Sequence, residues 1–286
     1  MSDTLLSVDD LWVRFPTRTG TVDAVRGVSF SVGRERVGIV GESGSGKSMT
    51  GRSILRLIRP PGQMRAKSIA FNGKNLLDYS ERQMRKIRGH EISMVMQDPK
   101  FSLNPVHTVG KQICEALRLH TKVSRREARQ GALEMLEAVQ IRNPERVFAS
   151  YPHELSGGMG QRVMIAMMLI TDPKLLIADE PTSALDVTVQ MKVLAIMDKL
   201  VQDRGMGLIF ISHDLNLVSS FCDRIIIMYA GRIVETCKAS ELHNAVHPYT
   251  RGLLNALPRI EEPKERLEAL QRQDSWKQEV SVDARV

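Results

Sequence analysis

Apolar positions suit strands near the N-terminus, helices in a central block, and strands alternating with helices beyond it. Leu5–Phe15 mixes β-formers with polar residues and reads as a strand. Val22–Val32 reads as a second, alternating around Val25, Val28 and Phe30. Arg36–Val40 is a short apolar strand that runs into glycines. Lys47–Ile58 then takes a helical pattern, closed by Pro60-Pro61-Gly62. Ser68–Phe71 with the Asn72-Gly73 turn predicts another strand, Ser80–Arg88 a basic helix and Ile92–Met96 an apolar strand.

From Lys100 to Ile170 the texture changes. Thr108–Leu119, Arg125–Val139 and Gly158–Ile170 carry helical patterns with no strand between them, which predicts a helical insert in an α/β framework. Alternation then resumes. Lys174–Ala178, Gly207–Ile211, Arg224–Met228 and Arg232–Glu235 read as strands, and Val187–Asp203 and Leu215–Phe221 as helices. Strands alternating with helices imply a mainly parallel sheet covered on both faces. After Pro258 the chain is charged and is expected to be peripheral.

Composition narrows the class. The 286 residues are 42% apolar and 26% charged, enough for a sizeable core in one large domain, or one domain with a small subdomain and a tail. The net charge of +7 is concentrated between Gly51 and His90. There Arg52, Arg56, Arg59, Arg65, Lys67, Lys74, Arg82, Arg85, Lys86 and Arg88 face only Asp78 and Glu81. A solvated surface is the plain reading, and attraction to anionic lipid headgroups is the sharper one. No aromatic residues interleave to stack bases, so nucleic acid is not an expected partner. The three cysteines, Cys114, Cys222 and Cys237, form neither a disulfide framework nor a zinc pattern and read as packing in a reducing compartment. The MSDTLLSVDD start is not a signal peptide. The apolar stretches at Met164–Ile170 and Ile225–Ala230 are too short to span a bilayer, so a membrane role would run through a partner.

Gly41-Glu42-Ser43-Gly44-Ser45-Gly46-Lys47-Ser48 fits the phosphate-binding loop pattern G-x-x-x-x-G-K-[ST]. Small residues let the backbone curl so that its N–H groups face phosphate oxygens, and the helix that follows offers its positive end to the same anion. Lys47 adds a charge for the β- and γ-phosphates, and Ser48 a hydroxyl for Mg²⁺. A chain of this length shows the bare pattern by chance roughly once in a hundred. The apolar strand before it and the helix after it are what lend it weight. Leu175–Ala178 is an apolar strand ending in Asp179 and Glu180. Beside such a loop, Asp179 would hold the metal directly or through water, and Glu180 would polarise the attacking water. Read alone, the two are exposed acids capping a strand. His213 follows another strand; it reads as structural, or as a group brought near Asp179 by the alternating topology.

Leu155-Ser156-Gly157-Gly158-Met159-Gly160-Gln161-Arg162 resembles the LSGGQ signature of the ATP-binding cassette ATPases. Gln97 resembles that family's Q-loop glutamine, Ser183-Ala184-Leu185-Asp186 its D-loop and His213 its switch histidine. The resemblance implies an α/β fold: a P-loop NTPase (RecA-like) core with an N-terminal antiparallel β subdomain and an inserted α-helical subdomain. It implies that Gly41, Ser43, Gly44, Ser45, Gly46, Lys47, Ser48 and Met49 bind ATP. Ser156, Gly157 and Gly158 would meet the γ-phosphate of the ATP held by the opposite subunit, with Asp186 contributing. Phe15 sits where relatives stack an aromatic on adenine, although Trp12 is close by. Ser48, Gln97 and Asp179 would surround Mg²⁺, and Glu180, His213 and Gln97 would serve catalysis. Position 160 departs from the pattern: it is glycine where relatives carry a larger polar residue, at a cost of up to about 1 kcal/mol of helix stability.

A narrower resemblance covers the C-terminal part. His247-Pro248-Tyr249-Thr250-Arg251-Gly252-Leu253-Leu254 and Phe101-Ser102-Leu103-Asn104-Pro105 are similar to segments of the dipeptide, oligopeptide and nickel importer ATPases. That division implies a cassette domain at 1–258, with its helical subdomain at about 100–170 and the HPY segment at 238–258, and a tail at 259–286. It implies a peripheral subunit on the cytoplasmic face of the inner membrane. Its partners would be two permease subunits, an external solute-binding protein and a second cassette, either a paralogue or a second copy. Members with a cysteine cluster beyond the HPY motif bind an iron–sulfur cluster in some cases; no cysteine follows Cys237, so none is expected here. A nickel or other solute importer is the neighbouring alternative. A soluble cassette ATPase acting on DNA or ribosomes is the remote one, disfavoured by the short block between Gln97 and Ser156 and by the single cassette.

Overall fold

The computed structural model describes residues 4–96, 102–183, 185–256, 273–277 and 280–285. Gln97 therefore lies outside the described residues. The chain divides into two compact units, Met1–Tyr79 with Leu208–Val286, and Ser80–Gly207.

The first unit opens with a long hairpin, β1 (Leu6–Thr17) against β2 (Gly20–Val32), antiparallel with Leu6 opposite Val32 and Phe15 opposite Val22. The buried residues of β1 change phase, Leu6 and Val8 first, then Leu11 and Val13. The register shifts between Val8 and Leu11, where Asp10 has φ 49° and its N–H donates to Ser29 Oγ at 2.9 Å. One extra residue at such a bulge exchanges the faces of everything beyond it. Arg36–Val40 forms β3, Lys47–Ile54 α1, Gln63–Arg65 β4, Ser68–Phe71 β5 and Lys74–Asn75 β6. β4 and β5 both pair antiparallel with β1, and β6 with β5. Helix α1 ends four residues before the expected Ile58. Arg56 takes φ 53° there, and its guanidinium donates to the Leu76 and Tyr79 carbonyls at 3.1 and 2.5 Å.

The second unit holds α2 (Glu81–Ile87), β7 (Ile92–Val95), α3 (Val109–His120), α4 (Arg125–Ala138), α5 (Pro144–Ala149), α6 (Gly157–Leu169), β8 (Leu175–Asp179) and α7 (Val187–Arg204). Caps set several of these starts. Ser80 and Ser124 form capping boxes with Gln83 and Glu127, and Thr108 and Asp186 accept the third N–H of α3 and α7. β7 and β8 run parallel, Ile92 beside Leu175. Helix α5 was not expected from periodicity; at six residues it is too short to display one, and Pro144 starts it.

The chain then returns to the first unit with β9 (Gly207–Ser212), α8 (Leu215–Phe221), β10 (Arg224–Tyr229), β11 (Arg232–Lys238), α9 (Pro248–Asn255) and β12 (Asp283–Ala284). Here the order is β11-β10-β3-β9, with β3 parallel to both β10 and β9. All residues of β9 and β10 are buried, as strands covered on both faces require. A Cβ on Gly38 would lie 2.1 Å from Val218 Cγ1, so only glycine lets α8 sit this close to β3. For the described residues of the tail the expectation of a peripheral segment needs correction: β12 pairs parallel with β2, and Trp276 and Ala284 are buried.

Three of the clustered arginines are used internally. Arg56 binds the carbonyls above, Arg65 lies over the Trp12 ring, and Arg88 pairs with Glu81 at 2.6 Å. Neither the solvated nor the lipid reading of the basic stretch anticipated these internal roles. Burial pushes the Cys222 thiol up to about 12 and the Cys237 thiol to about 11, so both stay protonated and unreactive at neutral pH. Among the described residues no helix is long and apolar enough to cross a membrane.

Asp223 pins the start of β3. It accepts the Arg36 main-chain N–H at 2.8 Å and the guanidinium at 2.7 Å, and these bonds hold its carboxyl below the usual range. The stabilisation is present above the unfolded pKa and is lost as pH falls through the lower folded one. Asp223→Asn should lower the unfolding free energy in urea by about 1 kcal/mol at pH 7, given the exposure of the pair. The difference from wild type should shrink below about pH 4.

Candidate active site

β3 delivers the chain into a loop that only its glycines permit. Gly41, Gly44 and Gly46 have φ of 155°, 81° and 102°. A Cβ on Gly41 would lie 2.1 Å from the Met228 carbonyl oxygen, and one on Gly46 2.4 Å from that of Ala24. The loop closes on itself through the Ser45 N–H to the Glu42 carbonyl at 3.1 Å. It is walled by the β10–β11 turn, where the Gly231 N–H donates to the Ser45 carbonyl at 3.0 Å. Lys47 is 5% exposed; its Nζ donates to the Gly41 and Glu42 carbonyls at 2.7 and 2.8 Å and reaches Ser45 Oγ at 3.4 Å. Helix α1 starts here with no side-chain cap and no acid in its first turn, so its positive end is left to an anionic ligand.

His213 is positioned by the same sheet. Val40 pairs with Ser212, so the loop and His213 leave the C-terminal ends of neighbouring parallel strands, where open α/β sheets bind ligands. The imidazole is exposed. Asp214, next to it, caps α8 through the Leu217 N–H at 3.1 Å.

The two aromatic candidates separate. Trp12 donates from Nε1 to Asp10 at 2.8 Å, and its ring is covered by the Arg65 guanidinium 4.9 Å away. Phe15 is half-buried; Gly62 leaves room for it, since a Cβ there would lie 2.5 Å from the ring. Its β2 partner Val22 is two residues from Ala24, whose carbonyl contacts Gly46, about 7 Å along the strand. The end of the hairpin that carries Phe15 thus flanks the phosphate loop.

In the second unit β8 ends at Asp179, 3% exposed, and Glu180 follows with φ 49°. A left-handed glutamate costs roughly 1–2 kcal/mol. The turn after it holds the conformation, Ser183 donating from N–H and Oγ to the Glu180 carbonyl at 3.4 and 3.2 Å. Asp186 caps α7, accepting the Val189 N–H at 3.0 Å. Ser156 is the N-cap of α6, yet its side chain makes no capping bond, and both it and Gly157 are exposed. A Cβ on Gly158 would lie 2.5 Å from Val189 Cγ1, so glycine is what lets the start of α6 rest on α7. Gly160 is buried in the first turn, its N–H on the Ser156 carbonyl at 2.9 Å. Arg162 braces that turn with bonds to the Gly158 and Gln140 carbonyls at 3.2 and 2.7 Å.

Sequence reasoning missed the walls of the loop, Ala24, Met228 and Gly231. Their backbone does the work, and in the sequence only the Tyr229-Ala230-Gly231 turn between two strands hints at it. Taken singly, the Ser48 hydroxyl of the first unit and the Asp179 carboxylate of the second are each an oxygen donor of the kind a hard divalent cation such as Mg²⁺ takes.

The chain resembles known proteins along most of its length. The family model for ABC transporters matches residues 25–183, and that for the C-terminal region of oligopeptide/dipeptide transporters matches 234–281. The oligopeptide transport ATP-binding protein OppD of Bacillus subtilis is 50% identical over 90% of this chain and 73% of its own length. The dipeptide transport ATP-binding protein DppD of Escherichia coli is 48% identical over 93% and 82%. A dimeric structure of the cassette MJ0796, in a post-hydrolysis state bound to ADP and phosphate, superposes with a TM-score of 0.73 at 29% identity, covering 82% of this chain and 98% of that one. These matches make the chain a member of the ABC transporter family, an ATP-binding subunit carrying the oligopeptide/dipeptide C-terminal region.

Proposed function

We propose that this chain hydrolyses ATP to energise the import of peptides across the cytoplasmic membrane, as a peripheral subunit on the cytoplasmic face. The observation that carries it is the buried Lys47 ammonium inside a glycine loop, at the uncapped start of α1. The likeness to dipeptide and oligopeptide transport proteins supports peptides over nickel or another solute. In this reading the loop amides and Lys47 hold the triphosphate, Met49 lines the same turn, and Phe15 stacks on adenine. Ser48, Gln97 and Asp179 hold magnesium, which when bound neutralises charge on the β- and γ-phosphates. Glu180 takes the proton of the attacking water, and His213 contacts the γ-phosphate.

Ser156, with its hydroxyl unused by the helix, joins Gly157 and Gly158 in binding the γ-phosphate of the ATP held by a second cassette, with Asp186 alongside. ATP then favours the closed pair over the open one, the differential affinity that a ligand-driven switch requires. The second cassette is a paralogous subunit, and two permeases and an external binding protein complete the assembly. Nucleic acid and an iron–sulfur cluster have no part in it. Co-expressed with its permeases, the chain should co-purify with them, and peptide-loaded binding protein should raise its ATPase rate. Co-purification with ribosomes or DNA in their place would overturn the reading.

A further inference from the structure

The Glu42 N–H in the phosphate loop donates to the hydroxyl of Tyr249, 207 residues away, at 3.1 Å. The carbonyl of the same peptide unit, Gly41 O, accepts the Lys47 ammonium at 2.7 Å. A peptide unit is rigid and planar, so fixing its N–H fixes its carbonyl. A donor bond at one end also polarises the acceptor at the other. Tyr249 is thus one peptide away from the lysine that would meet the phosphates.

Tyr249 is fully buried, and the C-terminal region holds it from several sides. Its ring centroid lies 4.5 Å from Tyr229 and 6.2 Å from Trp276, and Trp276 also meets His247 at 6.0 Å. His247 Nδ1 accepts the Tyr249 N–H at 3.1 Å, and the Glu235 carboxylate accepts the N–H groups of Val246 and His247 at 2.7 and 3.3 Å. The returning chain fastens to β11 through the Val282 N–H to the Ile233 carbonyl at 2.7 Å. The plain alternative is a core tyrosine whose hydroxyl found the nearest donor. Against it, that donor belongs to one of the two adjacent peptides whose carbonyls hold Lys47, and to the one with the shorter bond.

We propose that Tyr249 is a positioning residue for nucleotide binding: through the Gly41–Glu42 peptide it keeps the loop and Lys47 set for the triphosphate, so the C-terminal region tunes ATP affinity. This rests on the nucleotide reading of the loop. The test uses the full chain as Tyr249→Phe, with Trp276→Phe as a packing control that keeps the hydroxyl and Lys47→Ala as the control for the nucleotide reading. Tyr249→Phe should weaken MgATP binding about three- to tenfold, the scale of one lost hydrogen bond. In the assembled transporter KM should rise by the same factor, with kcat changed less than about twofold. Exchange of the Glu42 amide should accelerate, and Trp276→Phe should bind as wild type.

Wild-type affinity in Tyr249→Phe, or equal loss in Trp276→Phe, would overturn the proposal. If Lys47→Ala also bound ATP normally, the nucleotide reading itself would fail. Should Tyr249→Phe not fold, free exchange of the Glu42 amide in the wild-type chain would be the overturning result, and protection the supporting one.

Discussion

Glu180→Gln is expected to bind MgATP as wild type does and to lose at least about a hundredfold in turnover. The exchange keeps shape and removes basicity, and a positioned general base contributes 10²–10⁴-fold or about that. The backbone explains why the loss should be large. Glu180 follows the buried end of β8 in a left-handed conformation, held there by two bonds from Ser183 to its carbonyl. Strain of roughly 1–3 kcal/mol persists where the surroundings over-determine a residue, as they do at functional sites. A side chain launched from a main chain held that firmly is not readily replaced by a neighbour swinging in. Single-turnover hydrolysis beside equilibrium binding checks this; near-normal hydrolysis by the variant would remove Glu180 from the role of base.

The second large effect belongs to Lys47→Ala, which should weaken MgATP binding about 10- to 100-fold. The ammonium lies among oxygens that include the Gly41 and Glu42 carbonyls and Ser45 Oγ. Removing it deletes a charge-assisted contact of about 1.5–3 kcal/mol and leaves those oxygens facing a polyanion. Lys47→Arg should restore little, because a planar guanidinium does not match a cradle built for a compact ammonium. Calorimetry at fixed ionic strength measures it, and unchanged affinity in Lys47→Ala would contradict the proposed grip.

Where side chains alone decide an element, the sequence read well. β3 and α8 have the predicted bounds, since a short run of mainly apolar residues ending in glycines and an Asp214-capped amphipathic turn are local signals. The phosphate loop was legible because its chemistry demands glycines at fixed spacing. Features set by contacts distant in sequence were not. The phase slip at Asp10 needs Ser29, the early stop of α1 needs the Leu76 and Tyr79 carbonyls, and β12 needs β2. The tail was misjudged because Trp276 and Ala284, its buried anchors, are too sparse among charged residues to make a period. The bond from Glu42 to Tyr249 joins a main-chain N–H to a side chain 207 residues away, and nothing in a composition or a spacing records it.

Equilibrium binding of MgATP to the full-length chain, alone and with its permease subunits, addresses the central claim most directly. Saturable binding below millimolar nucleotide, weakened by Lys47→Ala and kept by Glu180→Gln, is the expected result. A well-folded chain that failed to take up MgATP at millimolar concentration, even with the permeases present, would contradict it.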